Sequence, residues 1–287
     1  MDTQKVNWPN FFVVGAARAG TSSLYFHLKR HPQVFLPTNK EPKYFTPHRE
    51  GSVPLEEYRR LYRNAGGYPA IGETSPNYLL DEGAAGRIFE VSPRAKIIAI
   101  VRDPVARAYS DFQFARTLGI EPEASFREAL RRHEDREAKD WYLSRYYVEQ
   151  GLYYSQVLRF QEIFGKDRVL VVLFAGLATN PRELFSTIAV HIGVDPEFYR
   201  DINLTKAYNQ YRMPKSRSFV NFVRQLHLQT AIPVPVLERL RPLFFYTIKD
   251  PLDDESRRLL QQLYDPDVTR LEELLSRKLP ELRISWC

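Results

Sequence analysis

Three short runs constrain the fold more than any other feature of the chain: Phe11-Phe12-Val13-Val14, Lys96 to Val101 (KIIAIV) and Val169 to Phe174 (VLVVLF). Each is almost continuously apolar and is followed by a turn or helix signal, so each reads as a strand covered on both faces. Between and around them lie stretches of helical spacing: Thr21 to Arg30, Leu55 to Arg63, Ala84 to Val91, and Tyr153 to Phe164 closed by Gly165. Asp103 as cap and Pro104 as first helical residue open another helix, and Asn180-Pro181 starts one running to about His191. Ala70 to Gly72 can form a short strand, and the last third is expected to hold two helices, Asp254 to Tyr264 and Asp267 to Ser276. Apolar strands separated by helices predict an α/β fold with a central, mainly parallel sheet flanked by helices. With no internal repeat and no linker-like stretch, the 287 residues are expected to make one domain, 1–287.

Charge and composition narrow the function classes. The net charge of +6 favours an anionic ligand, but basic residues are interleaved with acids. The run Arg127 to Lys139 (REALRRHEDREAK) reads as a solvated helix face, which argues against nucleic acid as partner. The longest apolar stretch, Val169 to Ala178, has ten residues, well below the roughly 18 of a membrane-spanning helix. The opening residues lack the pattern of a secretory signal. A single cysteine, Cys287, allows neither an intrachain disulfide nor a cysteine-rich metal site, and a cytoplasmic location is expected.

Chemistry concentrates first in the loop Gly15-Ala-Ala-Arg-Ala-Gly-Thr-Ser-Ser23. Placed between a strand and a helix, such a loop offers free backbone N–H groups and the positive end of a helix dipole to an anion. Its glycine spacing matches a Walker loop up to Gly20, but Thr21-Ser22 follows where that loop needs lysine, and the cation sits inside the turn at Arg18. A nucleoside or nucleotide kinase is therefore the secondary reading, with a non-enzymatic module for anionic ligands behind it. The plain structural alternative is a glycine turn whose Thr21 caps the helix.

Gly15, Arg18, Gly20, Thr21 and Ser22 resemble the 5′-phosphosulfate loop of sulfotransferases that use 3′-phosphoadenosine 5′-phosphosulfate (PAPS). A second segment agrees with that family's 3′-phosphate site: Arg102 at a strand end is followed eight residues later by Ser110 on the next helix, about two turns in. An ion pair of Arg102 with Asp103 is the alternative. Lys40 to Phe45 (KEPKYF) resembles the segment that carries the catalytic glutamate in the heparan-sulfate-type branch, and Gly72 to Tyr78 (GETSPNY) resembles the segment facing the acceptor. Pro214-Lys215-Ser216-Arg217 falls where that branch has a late basic loop. Lys43 and Thr74 depart from the branch, which often has histidine and a substrate-contacting lysine there.

The resemblance covers Phe11 to about Arg217, with Leu271 to Trp286 also family-like. It implies a P-loop-like sulfotransferase fold and a bacterial-type soluble enzyme that takes PAPS as donor and releases adenosine 3′,5′-bisphosphate. Binding falls to Arg18, Ala19, Gly20, Thr21, Ser22, Ser23, Arg102 and Ser110, with Lys215 and Arg217 as later partners. Arg18 and Glu41 would be catalytic, Glu41 as general base; Glu73, His27 and His31 are its rivals, and an ion pair with Lys40 or Lys43 is the plain reading of Glu41. The acceptor is a glycan or small molecule. Sulfuryl carries less charge than phosphoryl, so fixed cations and N–H donors can serve its transfer and no metal is expected. Trp141, Tyr142, Tyr146 and Tyr147 are expected to form a mobile lid over the acceptor.

Overall fold

Phe11, Phe12, Val13 and Val14 are fully buried and form β1 (Phe11–Gly15), the middle strand of a five-stranded sheet. In this computed structural model residues 7–47, 51–117, 121–131, 147–204, 213–214, 245–246 and 252–286 are described. The other strands are β2 (Val34–Phe35), β3 (Ala70–Thr74), β4 (Lys96–Val101) and β5 (Val169–Leu173), in the order β2-β3-β1-β4-β5. Every pairing in this sheet is parallel, with Phe11 opposite Gly72 on one side and Lys96 on the other. Gly72 is required by that register, since a Cβ there would lie 2.0 Å from Cζ of the Phe11 ring.

The helices are α1 (Thr21–Leu28), α2 (Leu55–Leu61), α3 (Ala84–Val91), α4 (Pro104–Thr117), α5 (Phe126–Arg131), α6 (Tyr153–Phe164), α7 (Gly176–Thr179), α8 (Pro181–Ile192) and α9 (Asp254–Leu274). Phe89 of α3 packs edge-on to Phe164 of α6, and His27 of α1 packs on Phe185 of α8. Crossovers of the usual right-handed sense put these two pairs on opposite faces of the sheet, which is why β1 and residues Ile97 to Val101 of β4 are buried without a break. The chain leaves β1 toward β2 and returns past it to reach β4, so the sheet reverses direction around β1, and the C-terminal ends of all five strands open on one edge.

A second core lies beside the sheet, where Val105, Ala108 and Phe112 of α4 meet Phe126 of α5, Tyr147, and Leu260 and Tyr264 of α9. Inside it Arg107 is fully buried, pairs with Asp111 at 3.1 Å and donates to the Tyr147 carbonyl. Tyr147 is 0% exposed and donates its own hydroxyl to Glu121 at 2.6 Å, so it is a fixed core residue and no part of a lid. Trp141, Tyr142 and Tyr146 lie outside the described residues.

The two helices expected near the C-terminus are one. α9 runs from Asp254 to Leu274 through Pro266. Leu260, Tyr264, Val268 and Leu271 are all fully buried at helical spacing on either side of the proline, and that continuous stripe outweighs one missing backbone donor. The pair Val34–Phe35 and a small antiparallel pair, β6 (Met213–Pro214) with β7 (Phe245–Tyr246), had no counterpart in the sequence pattern.

Candidate functional site

β1 ends at Gly15, and Arg18 in the loop that follows has a φ of 64°, a left-handed conformation that costs a non-glycine residue roughly 1–2 kcal/mol. Gly20 follows with φ 96° and begins α1 without any side-chain cap and without an acidic residue in the first turn. Thr21 is therefore the first helical residue and not its cap, and the start of α1 keeps its positive dipole uncompensated. The N–H groups of Ala19 and Ser23 donate inside the loop, to the Ala16 and Gly20 carbonyls at 3.2 and 2.9 Å. Thr21 and Ser23 are buried, whereas Arg18, Gly20 and Ser22 reach the surface in part.

β4 delivers the second cation. Its end residue Val101 is followed by Arg102, whose Nη1 donates to the Arg18 carbonyl at 3.2 Å. The two arginines, 84 residues apart in the chain, thus meet above the β1–β4 junction. Asp103 is not the ion-pair partner of Arg102: one of its oxygens caps α4 by accepting from Ala106 N–H at 3.0 Å, and the other accepts from Ser285 N–H at 2.7 Å. The Arg102 carbonyl is tied down as well, accepting from the Tyr153 hydroxyl at 2.9 Å. Burial holds the Arg102 guanidinium below its usual range and the nearby Arg18 charge adds to that, against the pull of Tyr153 and Asp103.

Two aromatic residues orient this pair, and neither was singled out from the sequence. Arg18 lies over the Phe114 ring at 4.2 Å and Arg102 over the Phe174 ring at 4.7 Å. Such stacking uses the guanidinium face and directs the N–H donors outward in the plane of the group. Phe114 stands four residues after Ser110 on α4, so the helix face that carries Ser110 is the face turned to Arg18. Phe174 also abuts the loop, because a Cβ on Gly20 would lie 2.9 Å from its Cδ2. The signal was present only as position: Phe174 ends the apolar β5 run and Phe114 continues the Ser110 face.

Carboxylates divide sharply. Glu41 sits between β2 and α2, pairs with Lys40, and keeps its side chain 35% exposed. Glu73 at the end of β3 is 0% exposed and accepts from the hydroxyls of Tyr58 at 2.5 Å, Tyr78 at 2.5 Å and Ser75 at 2.7 Å. Burial pushes its carboxyl up to about 7, against the three hydrogen bonds. Burial, and then the Glu73 charge, push Tyr58 and Tyr78 well above their usual values, so both stay donors. Glu73 thus has both oxygens engaged and no exposed surface, whereas Glu41 is open to solvent. The two histidines are engaged as well. Both ring nitrogens of His31 are engaged, with the Asp195 carbonyl and Gln33 N–H, and His27 packs on Phe185 away from the strand ends. Lys215 and Arg217 lie outside the described residues.

Comparison with known proteins agrees with this fold. The family model described as "Sulfotransferase domain" matches residues 9–229. The chain belongs to that family. It is 30% identical over 207 residues to human heparan sulfate glucosamine 3-O-sulfotransferase 6, a match covering 70% of this chain and 58% of the relative. It is 28% identical over 205 residues to human bifunctional heparan sulfate N-deacetylase/N-sulfotransferase 3, covering 66% of this chain but only 23% of that protein. The crystal structure of a sulfotransferase from Alicyclobacillus acidocaldarius superposes with a TM-score of 0.74 at 29% identity, covering 97% of this chain and 100% of that one. Sulfuryl transfer as a class of chemistry, and the parallel α/β fold, are thereby assigned to this sulfotransferase domain. The kinase reading finds no support in these comparisons. Among the described residues no helix is long and apolar enough to cross a membrane, and no group of three or more His, Cys, Asp or Glu is arranged to hold a metal ion.

Proposed function

We propose that residues 1–287 form a single sulfotransferase domain that moves a sulfuryl group from PAPS to a hydroxyl or amine of a carbohydrate, lipid or small natural product. The contact between Arg102 and the Arg18 carbonyl carries this reading, because it brings two stacked guanidinium groups to the edge where an uncapped helix begins. Two cations held together in a half-buried mouth are favourable when a polyanion lies between them. PAPS has that character, with charge at both its 5′ and 3′ ends. Arg18, Gly20, Thr21 and Ser22, flanked by Ala19 and Ser23, take the 5′-phosphosulfate. Arg102 and Ser110 take the 3′-phosphate, and Lys215 and Arg217 add charge from the late loop. The lone Cys287 fits work in a reducing cytoplasm.

In the transfer, the acceptor oxygen or nitrogen attacks sulfur in line with the bond to the 5′-phosphate oxygen. The new bond forms as that S–O bond breaks, and its electron pair leaves with adenosine 3′,5′-bisphosphate. Arg18 and the N–H groups at the start of α1 stabilise the charge on the departing oxygen. The acceptor proton passes to Glu41, the carboxylate of the two that reaches the surface, with Lys40 paired beside it.

Glu41→Gln is expected to cut turnover by about 10²–10⁴ while the bisphosphate still binds. Transfer of radiolabelled sulfate from PAPS tests this, with a panel of a glucosaminyl oligosaccharide, a long-chain alcohol and 4-nitrophenol as acceptors, and water as the background acceptor. Full turnover in Glu41→Gln moves the base elsewhere. A thermal shift with ATP and magnesium but none with the bisphosphate contradicts the donor assignment.

A further inference from the structure

The buried Glu73 carboxylate has a second layer of contacts that the transfer reaction leaves unused. The Ser75 hydroxyl, which donates to Glu73 at 2.7 Å, accepts the Lys43 N–H at 3.2 Å. The Tyr78 hydroxyl, which donates to Glu73 at 2.5 Å, accepts the Phe45 N–H at 3.2 Å. Tyr58, the third donor, stacks on Tyr44 with ring centroids 4.4 Å apart. Three consecutive residues, Lys43, Tyr44 and Phe45, are therefore fastened to one carboxylate through three different hydroxyl-bearing side chains. The fastened stretch begins two residues after Glu41. Lys43 itself has a φ of 55° and is 4% exposed, and its carbonyl accepts from Thr46 N–H at 2.9 Å and Ser52 Oγ at 3.0 Å. A lysine held buried in a left-handed conformation persists only where its surroundings over-determine it.

We infer that Glu73 is a positioning residue whose Ser75 and Tyr78 hydrogen bonds fix the Lys40 to Phe45 segment and thereby aim the Glu41 carboxylate at the acceptor. Glu73 touches neither acceptor nor donor; it acts through the backbone on which Glu41 is mounted. This deepens the assignment of Glu41 as base and rests on it. Removing one hydroxyl at a time tests it with little change of shape, since Ser75→Ala and Tyr78→Phe each free one backbone N–H and one bond to Glu73.

Amide hydrogen exchange of peptides covering 40–46 reports placement without any acceptor. Sulfuryl transfer from PAPS, to the best acceptor of the panel and to water as released sulfate, reports catalysis. Thermal melts check that the variants fold, and calorimetry with adenosine 3′,5′-bisphosphate reads the donor site. The expected result is faster exchange in 40–46 only, turnover lowered roughly tenfold in each single variant, and bisphosphate affinity unchanged within about twofold. In the Glu41→Gln background the same changes should lower turnover no further, because groups that act through one another are not additive. Unchanged exchange and turnover in Ser75→Ala and Tyr78→Phe overturn the inference, as does a full tenfold loss still seen on top of Glu41→Gln. Failure of the base assignment looks different: Glu41→Gln alone then keeps its turnover.

Discussion

At the scale of single residues, the site depends on positions where only one side chain fits. A Cβ on Gly20 would stand 2.7 Å from Leu177 Cδ1 and 2.9 Å from Phe174 Cδ2, at a φ of 96° that side chains avoid. Gly20→Ala is therefore expected to destabilise the fold by roughly 1–3 kcal/mol. It should also weaken bisphosphate binding, because Phe174 is the ring beneath Arg102. A denaturant melt and a calorimetric titration measure the two effects; wild-type values in both would mean that the loop tolerates a side chain and is less tightly packed than described. Gly15 and Gly20 were legible as a strand-to-helix turn from their spacing. The stacking rings were not, since a phenylalanine in an apolar run carries no mark of its neighbour, and the arginine that Phe174 supports is 72 residues away.

At the scale of elements, the parts written into local sequence are those with one dominant cause. β1, β4 and β5 were readable because burial on both faces demands an uninterrupted apolar run, and α4 because Asp103 and Pro104 mark its start. β2, two residues long, has no periodicity to read, and α9 crosses Pro266 because burial on both sides of it was decided by distant partners. Glu73 lay in a recognisable segment, yet its burial beneath Tyr58 and Tyr78 depends on α2 and the turn after β3 closing over it. Asp103 shows a local signal with a long-range use: it caps α4 and also anchors Ser285. Asp103→Ala should cost about 1–2 kcal/mol from the lost cap alone. Because Arg102 precedes it, bisphosphate affinity should fall too. A Tm equal to wild type would show that neither contact matters.

For the whole molecule, one buried acid and one half-buried acid add to the way stability follows pH. Burial raises Glu73 from 4.5 to about 7 and Asp267, which accepts from Tyr154 N–H, from 3.8 to about 6. Between those values the folded chain holds protons that the unfolded chain has released, so each group's stabilisation is complete below its unfolded value and lost as pH rises through its folded one. The Tm of Glu73→Gln minus that of wild type should therefore climb from pH 4.5 to about 7, and that of Asp267→Asn from pH 3.8 to about 6. A flat difference would mean that these acids titrate normally. The central claim concerns the whole sheet edge: strands β1 and β4 bring Arg18 and Arg102 to opposite ends of one nucleotide. Calorimetry with three ligands, adenosine 3′,5′-bisphosphate, adenosine 5′-phosphate and adenosine 3′-phosphate, tests it directly. Arg102→Ala should weaken the bisphosphate about ten- to a hundredfold and leave adenosine 5′-phosphate unaffected, while Arg18→Ala should spare adenosine 3′-phosphate instead. Equal losses for all three ligands in both variants would contradict the two-ended grip.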